Sequence, residues 1–170
     1  MDNLLVESDW SFVIKLHALF EAVLASLVVK KLGVPALQDA ITNLEFNNAK
    51  AGKVAFAQAL ELLDSREVAF LRGLSELRNR LVHNVRNVQF DLRVYVANMD
   101  ARQQKSFKSQ FGRTILLLPD GEAEYTRLLR EQPSIIIYFA AYSCLMVLEF
   151  NVSDQRRNIL LEALMKHAKR

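Results

Sequence analysis

Residues 64–84, DSREVAFLRGLSELRNRLVHN, hold the clearest helical pattern of the chain. Asp64 and, three residues later, Glu67 are the acidic pair of a capping box, so the pattern predicts a helix from there to about Asn84. At about 100° per residue, one broad face of this helix is apolar. That face consists of Val68, Phe70, Leu71, Leu74, Leu77, Leu81 and Val82. The stretch therefore predicts an amphipathic helix packed against a core.

Helical patterns also flank this stretch on its amino-terminal side. Ser8 or Asp9 can cap a long first helix, and Gly33 and Pro35 end it. A short helical turn over residues 35–42 and a polar loop over residues 43–48 follow. A second substantial helix is predicted from about Lys50 to Leu63. It would pack antiparallel to the helix that Asp64 begins.

The carboxyl-terminal half repeats the pattern with one ambiguous segment. Residues 90–112 are predicted to be helical with a break near Asp100, whereas residues 113–121 fit either a short strand or a buried turn. Pro133 introduces a central helix to Phe150 that is apolar enough to be buried on nearly all sides. Asp154 is then expected to cap a separate basic helix.

Composition agrees with long helices in one domain. The 170 residues are 51% hydrophobic and include only five Gly and three Pro. These values exclude a disordered chain and predict one all-α domain over residues 1–170, a compact antiparallel helical bundle. A single thiol, Cys144, excludes an internal disulfide and a cysteine-based zinc site. Three scattered histidines favour no metal, and no cofactor is expected.

The location is expected to be cytoplasmic. Residues 1–9 are acidic and lack the basic and apolar regions of a secretory signal. The most apolar window, Ile135 to Leu148, is shorter than the about 18 residues that a spanning helix needs. No membrane association is therefore predicted.

One turn of the Asp64 helix carries the best candidate chemistry. Arg78 falls inside the apolar face, and a buried guanidinium needs an acid, a water-filled groove or a phosphate. Asn79 and His83 are four residues apart and share a neighbouring face. A fixed cation, an amide and an imidazole are suited to phosphodiester chemistry. In the alternative interpretation, Arg78 pairs with a core acid such as Glu21, and His83 only stabilises the helix end.

The remaining polar residues are weaker candidates. His17 and Glu21 are four residues apart on the edge of the first helix's apolar face, where they form either a local hydrogen bond or a support for the site. His167 is expected to be solvated, and Cys144 to be a small core residue.

The motif Arg78-Asn79-x-x-x-His83 resembles the Arg-polar-x-x-x-His signature of the HEPN superfamily of helical domains. Its context is similar too, with LFEAVL at residues 19–24 and KVAFAQALELL at residues 53–63. The resemblance covers about residues 10 to 93. It implies a homodimer in which the Arg and His of both protomers form one composite, metal-independent ribonuclease site. His83 would move a proton, Arg78 would hold the phosphate, and Asn79 would orient the phosphate or the imidazole. The product would be a 2′,3′-cyclic phosphate.

Three biological settings are compatible with this resemblance. One is a toxin or defence effector, with an antitoxin as partner protein, and another is a nucleotide-binding helper to a partner nucleotidyltransferase. The third is a non-catalytic transcriptional regulator or protein-binding module similar to the mannitol operon repressor group of the same superfamily. The intact motif favours catalysis.

The charge distribution favours RNA as a partner. The formal net charge is only +3, but residues 72–113 hold nine basic and three acidic residues. This excess begins at the motif, which is typical of a surface that binds phosphates. The predicted RNA-binding residues are Arg72, Arg80, Arg86 and Arg93. A solvated helix face with clustered arginines is the alternative.

Overall fold

A computed structural model describes the backbone of residues 2–82 and 89–168 and the side chains of residues 4–82 and 89–151. The described residues form helices and no strand, so the predicted all-α class is confirmed. In chain order the helices are α1 (Asp9–Leu32), α2 (Gln38–Thr42), α3 (Lys53–Ala59), α4 (Ser65–Val82), α5 (Leu92–Ala97), α6 (Ala101–Phe111), α7 (Arg113–Leu116), α8 (Gly121–Glu131) and α9 (Pro133–Ala168). Short 3-10 turns cover Asp2–Val6 and Pro35–Leu37.

Helix α1 has the predicted ends. The Ser8 hydroxyl accepts a hydrogen bond from the Ser11 amide at 3.3 Å, as an N-cap does. Gly33 ends the helix with φ of 68°, a left-handed conformation that glycine adopts without a Cβ clash, and its amide bonds to the Val29 carbonyl. Local chemistry therefore fixes both boundaries.

Helix α4 begins with the predicted capping box. Asp64 Oδ1 accepts from the Arg66 amide at 2.7 Å, and Glu67 Oε2 accepts from the Asp64 amide at 3.2 Å. The predicted apolar face is buried except at its last residue, since Val82 is 41% exposed. The neighbouring Leu81 takes the core position, and Val82 points away from it.

Two helices sandwich α4. The Phe70 ring meets Phe20 of α1 edge-on at a centroid distance of 5.2 Å and Phe111 of α6 at 5.9 Å. Gly73 permits the approach of α6, because a Cβ there would lie 2.8 Å from the Gln110 side chain and 2.9 Å from the Phe111 ring. One side of α4 therefore faces α1, and another faces α6.

Helix α5 is joined to the start of α1. Its first residue, Leu92, is fully buried, and its amide donates to Asp9 Oδ2 at 2.7 Å. The predicted break near Asp100 is also confirmed, because the Asp100 side chain caps α6 by accepting from the Gln103 amide.

The predicted second helix is wrong at both ends. Asn48 Oδ1 accepts from the Lys50 and Ala51 amides, so those residues form a turn, and α3 begins only at Lys53. At the other end Glu61 has a left-handed φ of 58°, which stops the helix before Leu63. Over residues 113–116 the strand alternative is also wrong: a single helical turn, α7, buries Ile115.

Helix α9 differs from the prediction in two ways. It runs without a break from Pro133 to Ala168, so the predicted new start at Asp154 is wrong. It is also not buried on nearly all sides. Its described core residues lie on one face, and four apolar residues remain 41–66% exposed on another. This exposed stripe consists of Phe139, Tyr142, Met146 and Phe150. An apolar helix buries only the faces that neighbouring helices cover.

In the described part of the chain, two helices have the length and composition of membrane spans. They are Asp9–Leu32 and Pro133–Asn151. The second contains the apolar window Ile135 to Leu148, so the expectation that this segment is too short to span a bilayer is wrong. The core helix of a water-soluble protein passes the same test, and 50% and 39% of the two apolar windows are buried in this fold. The absence of membrane association stays a prediction.

Candidate functional site

Arg78 and Asn79 lie together near the end of α4. Arg78 is partly buried, and its Nη1 donates to Asn79 Oδ1 at 3.0 Å. Asn79 is exposed. His83 follows Val82 in the chain and, like Arg86, lies outside the described residues. The structure therefore places two of the three predicted catalytic residues side by side.

A buried imidazole lies on the α1 side of Arg78. His17 is 5% exposed, and its ring packs 4.4 Å from the Phe46 ring. Burial lowers the pKa of His17, the Glu21 carboxylate opposes this effect, and the Arg78 and Lys53 cations lower the pKa further. His17 is therefore neutral at pH 7 and lies within the electrostatic range of Arg78.

Lys53 is the residue of this region that the sequence analysis missed. Its side chain is fully buried, and its ammonium donates to Glu21 Oε1 at 2.9 Å and to the Leu44 carbonyl at 2.6 Å. The available sequence signal is a lysine four residues before Ala57 on the buried face of an apolar helix. A lysine there requires a partner.

Lys53 determines what Glu21 does. The Glu21 carboxylate binds the Lys53 ammonium, and its other oxygen lies 3.9 Å from His17 Nδ1. Within the described part of the chain, no carboxylate lies within ion-pair distance of Arg78. The alternative pairing of Arg78 with Glu21 is therefore not found.

The predicted RNA-binding arginines do not surround Arg78. Arg80 is about 160° from Arg78 around the helix, and its guanidinium carbon lies 5.9 Å from the Tyr95 ring centroid. Arg93 is exposed and binds Asp91 at 2.9 Å. Arg72 lies in a groove between α4 and α6, about 120° around the helix from Arg78. Arg72 and Arg80 therefore line neighbouring pockets between α4 and α6, away from Arg78.

The largest cavity described lies at the other end of α4. It measures about 660 Å³ and lies among α4, α6, α7 and α9. Asp64 is about 21 Å along the helix from Arg78. Burial raises the pKa of the Cys144 thiol far above its ordinary value and also raises the pKa of Glu67. Cys144 is therefore a protonated core residue and a poor nucleophile.

Ligand groups for a metal are sparse in the described ranges. Among those residues no group of three or more His, Cys, Asp or Glu side chains is placed to hold an ion. Comparisons of the chain with protein-family models, with curated proteins and with solved structures find no match. The arrangement that remains is a guanidinium, held by an amide and unpaired with any described acid, at the end of α4.

Proposed function

We propose that this chain is a HEPN-type, metal-independent ribonuclease that acts as a cytoplasmic homodimer, with Arg78, Asn79 and His83 as its catalytic residues. A toxin or defence effector is the biological role that this activity fits, with an antitoxin or a nucleotidyltransferase as the partner protein. The proposal rests on the resemblance of the motif and on the surroundings of Arg78.

The availability of Arg78 is the observation that carries the proposal. An arginine at an apolar seam that served structure alone would pair with an acid. Here Glu21, the acid that the alternative interpretation pairs with Arg78, binds Lys53 instead. The Arg78 guanidinium keeps donors beyond the one that Asn79 uses, and a planar fork of donors matches a phosphate.

The proposed reaction is an internal transesterification. His83 removes the proton of the ribose 2′-hydroxyl, whose oxygen attacks the adjacent phosphorus. The bond from phosphorus to the 5′-oxygen breaks, and that oxygen gains a proton from a second imidazole or from water. Arg78 stabilises the charge on the phosphoryl oxygens, and Asn79 orients the guanidinium. The products carry a 2′,3′-cyclic phosphate and a 5′-hydroxyl.

His17 and Glu21 support this site from α1. His17 is buried against Phe46, and burial lowers its pKa, which favours the neutral imidazole. Glu21 neutralises Lys53. Both residues therefore position the region next to Arg78 without contacting RNA.

Cleavage of RNA in the presence of EDTA tests the proposal. The purified chain should yield cyclic-phosphate ends, and His83→Ala and Arg78→Ala should each lose activity by at least about a hundredfold. His167→Ala and Arg130→Ala are matched controls that change the same residue types elsewhere and should retain activity. Equal activity of the wild type and His83→Ala, or activity that EDTA abolishes, would refute the proposal. Sedimentation equilibrium tests the homodimer separately.

A second candidate function is a non-catalytic regulator or protein-binding module. The exposed stripe on α9 favours it, since contiguous exposed apolar residues mark protein interaction surfaces. In that case binding to a defined protein should survive His83→Ala and fail in Met146→Asp, whereas Glu149→Ala would be a control from the same helix. Binding that His83→Ala abolishes would count against this candidate.

A further inference from the structure

A polar groove lies between α4 and α6, on a side of α4 that Arg78 does not face. It measures about 450 Å³. Six of its lining residues carry cations or uncharged hydrogen-bonding groups: Arg72, Arg102, Lys105, Ser106, Ser109 and Gln110. The approach of α6 at Gly73 fixes the width of the groove, because the Gln110 side chain and the Phe111 ring occupy the space of a Cβ there.

The three cations of this groove are exposed and available. In the part of the chain that the structure describes, Arg72, Arg102 and Lys105 have no carboxylate within ion-pair distance. Several other surface cations are paired. Arg66, Arg93, Lys108 and Arg127 all bind carboxylates. Three unpaired charges on one groove attract an anionic partner.

One carboxylate lies in the groove and limits what can bind. Glu76 is part of the lining, and Gln110 Nε2 donates to its Oε2 at 3.4 Å. Its charge opposes an anion at that point, so an anionic ligand should follow the α6 side. Along α6, Arg102 and Ser109 are about 10 Å apart, and Lys105 lies between them. The cations and hydroxyls therefore form a line.

We propose that the α4–α6 groove binds the phosphodiester backbone of single-stranded RNA as a site separate from the Arg78 and His83 motif. The choice of RNA rests on the proposed function. Positive charges interspersed with hydroxyl and amide donors are the chemistry that binds phosphates and sugars without reading bases. The line of cations and hydroxyls along α6 fits a single strand of phosphates, whereas a lipid surface presents its charges over a broad plane.

The groove supplies affinity, and the motif supplies chemistry. Arg72 and Arg78 are about 9 Å apart along α4 and about 120° apart around it. A long RNA can contact both surfaces, but a dinucleotide at Arg78 cannot extend into the groove. The Arg102 and Lys105 charges should therefore affect the binding of long RNA and leave dinucleotide cleavage unchanged.

Binding to a non-cleavable RNA tests the proposal. The probe is a fluorescein-labelled 2′-O-methyl oligouridine of about 16 nucleotides, whose blocked hydroxyl prevents cleavage. Its affinity is measured by anisotropy from about 50 to about 200 mM salt. The Arg102→Ala/Lys105→Ala variant should reduce the slope of log affinity against log salt by about 1.4, since each phosphate contact contributes about 0.7. Across that range of salt, the ratio of wild-type affinity to variant affinity should shrink about sevenfold.

A charge-matched control distinguishes the groove from net charge. Lys30→Ala/Arg130→Ala removes two exposed cations on other elements and should retain the wild-type slope. Arg72→Ala, on the opposite wall, should reduce the slope by about 0.7. An unchanged slope in the groove variants, or an equal reduction in the control, would overturn the proposal. Far-UV circular dichroism confirms that each variant is folded.

Two further measurements separate the possible failures. If the groove variants cleave the dinucleotide normally and bind RNA as the wild type does, RNA binding by the groove is refuted and the proposed function stays intact. If no protein cleaves the dinucleotide but the groove variants still have a reduced salt slope, the proposed function is refuted and the groove is supported. Vesicles of phosphatidylglycerol and phosphatidylcholine, and polyglutamate, are the competing probes. Tighter groove-dependent binding to either one than to the oligouridine would overturn the assignment to RNA.

Discussion

Removing Glu21 should destabilise the protein far more than removing Lys53. The two groups form one ion pair at 2.9 Å, but their burial differs, because the Lys53 side chain is fully buried and that of Glu21 is 41% exposed. Glu21→Ala leaves an ammonium in the core with only the Leu44 carbonyl as partner. Breaking a buried pair in this way costs about 3–5 kcal/mol.

Lys53→Met has a smaller cost. Methionine fills a similar volume, and water can solvate the Glu21 carboxylate that remains. The Leu44 carbonyl loses its hydrogen bond, which costs about 1–3 kcal/mol. The double variant Glu21→Ala/Lys53→Met should resemble Lys53→Met, because no unpaired charge is left in the core.

Urea unfolding followed by far-UV circular dichroism measures these differences. The free energy of unfolding should decrease in the order wild type, Lys53→Met, Glu21→Ala, with equal slopes in urea. A Lys53→Met variant less stable than Glu21→Ala would refute the reasoning, since it would show that an unpaired buried ammonium costs less than the loss of the lysine's own contacts. A double variant less stable than either single variant would contradict it too.

Three further predictions concern stability, and urea unfolding tests each of them. Tyr125→Phe should leave stability unchanged or raise it, because the Tyr125 hydroxyl is buried without a hydrogen-bond partner among the described residues; a loss of stability would reveal a partner. Asp64→Ala should cost about 0.5–2 kcal/mol through loss of the α4 cap, whereas Asp64→Asn should retain most of that stability. Burial lowers the pKa of His17 in the folded protein. At pH values just below the ordinary histidine pKa of about 6.5, the unfolded state therefore binds more protons than the folded state, and stability should fall as pH falls through this window. His17→Gln should weaken this dependence, and an unchanged pH profile in that variant would count against the explanation.

Helix ends that local groups determine could be predicted from the sequence. Ser8 and Gly33 bound α1, and the Asp64 capping box begins α4, because each of these signals acts within a few residues. The ends of α3 could not be predicted in this way. They depend on the turn at Asn48 and on the left-handed conformation of Glu61, which the surrounding packing holds.

Burial was harder to predict than helicity. The apolar residues of α9 correctly predict a helix, but an all-round apolar pattern does not say which faces neighbours will cover. Phe139 and Phe150 therefore remain exposed where a buried helix was expected. Asp154 matches a cap signal, yet the helix continues through it because the backbone bonds of a helix can include such a residue.

The candidate site was predicted in part. Arg78 and Asn79 are neighbours on one helix, but the contact between their side chains is seen only in the structure. The role of Lys53 could not be foreseen, because its contact with Glu21 joins residues 32 apart in sequence. Net charge by segment also grouped Arg72 with Arg78, whereas their angular separation on α4 divides them between two surfaces.

The bond between Asp9 and the Leu92 amide gives the protein a built-in reporter. The Leu92 amide donates at 2.7 Å to a carboxylate 83 residues earlier, and its side chain is fully buried. Its exchange with deuterated solvent requires α5 to separate from the first turn of α1. Leu92 comes only nine residues after His83 in the chain. The exchange rate of this single amide therefore measures how often α5 separates from α1, in the free protein and when RNA is bound.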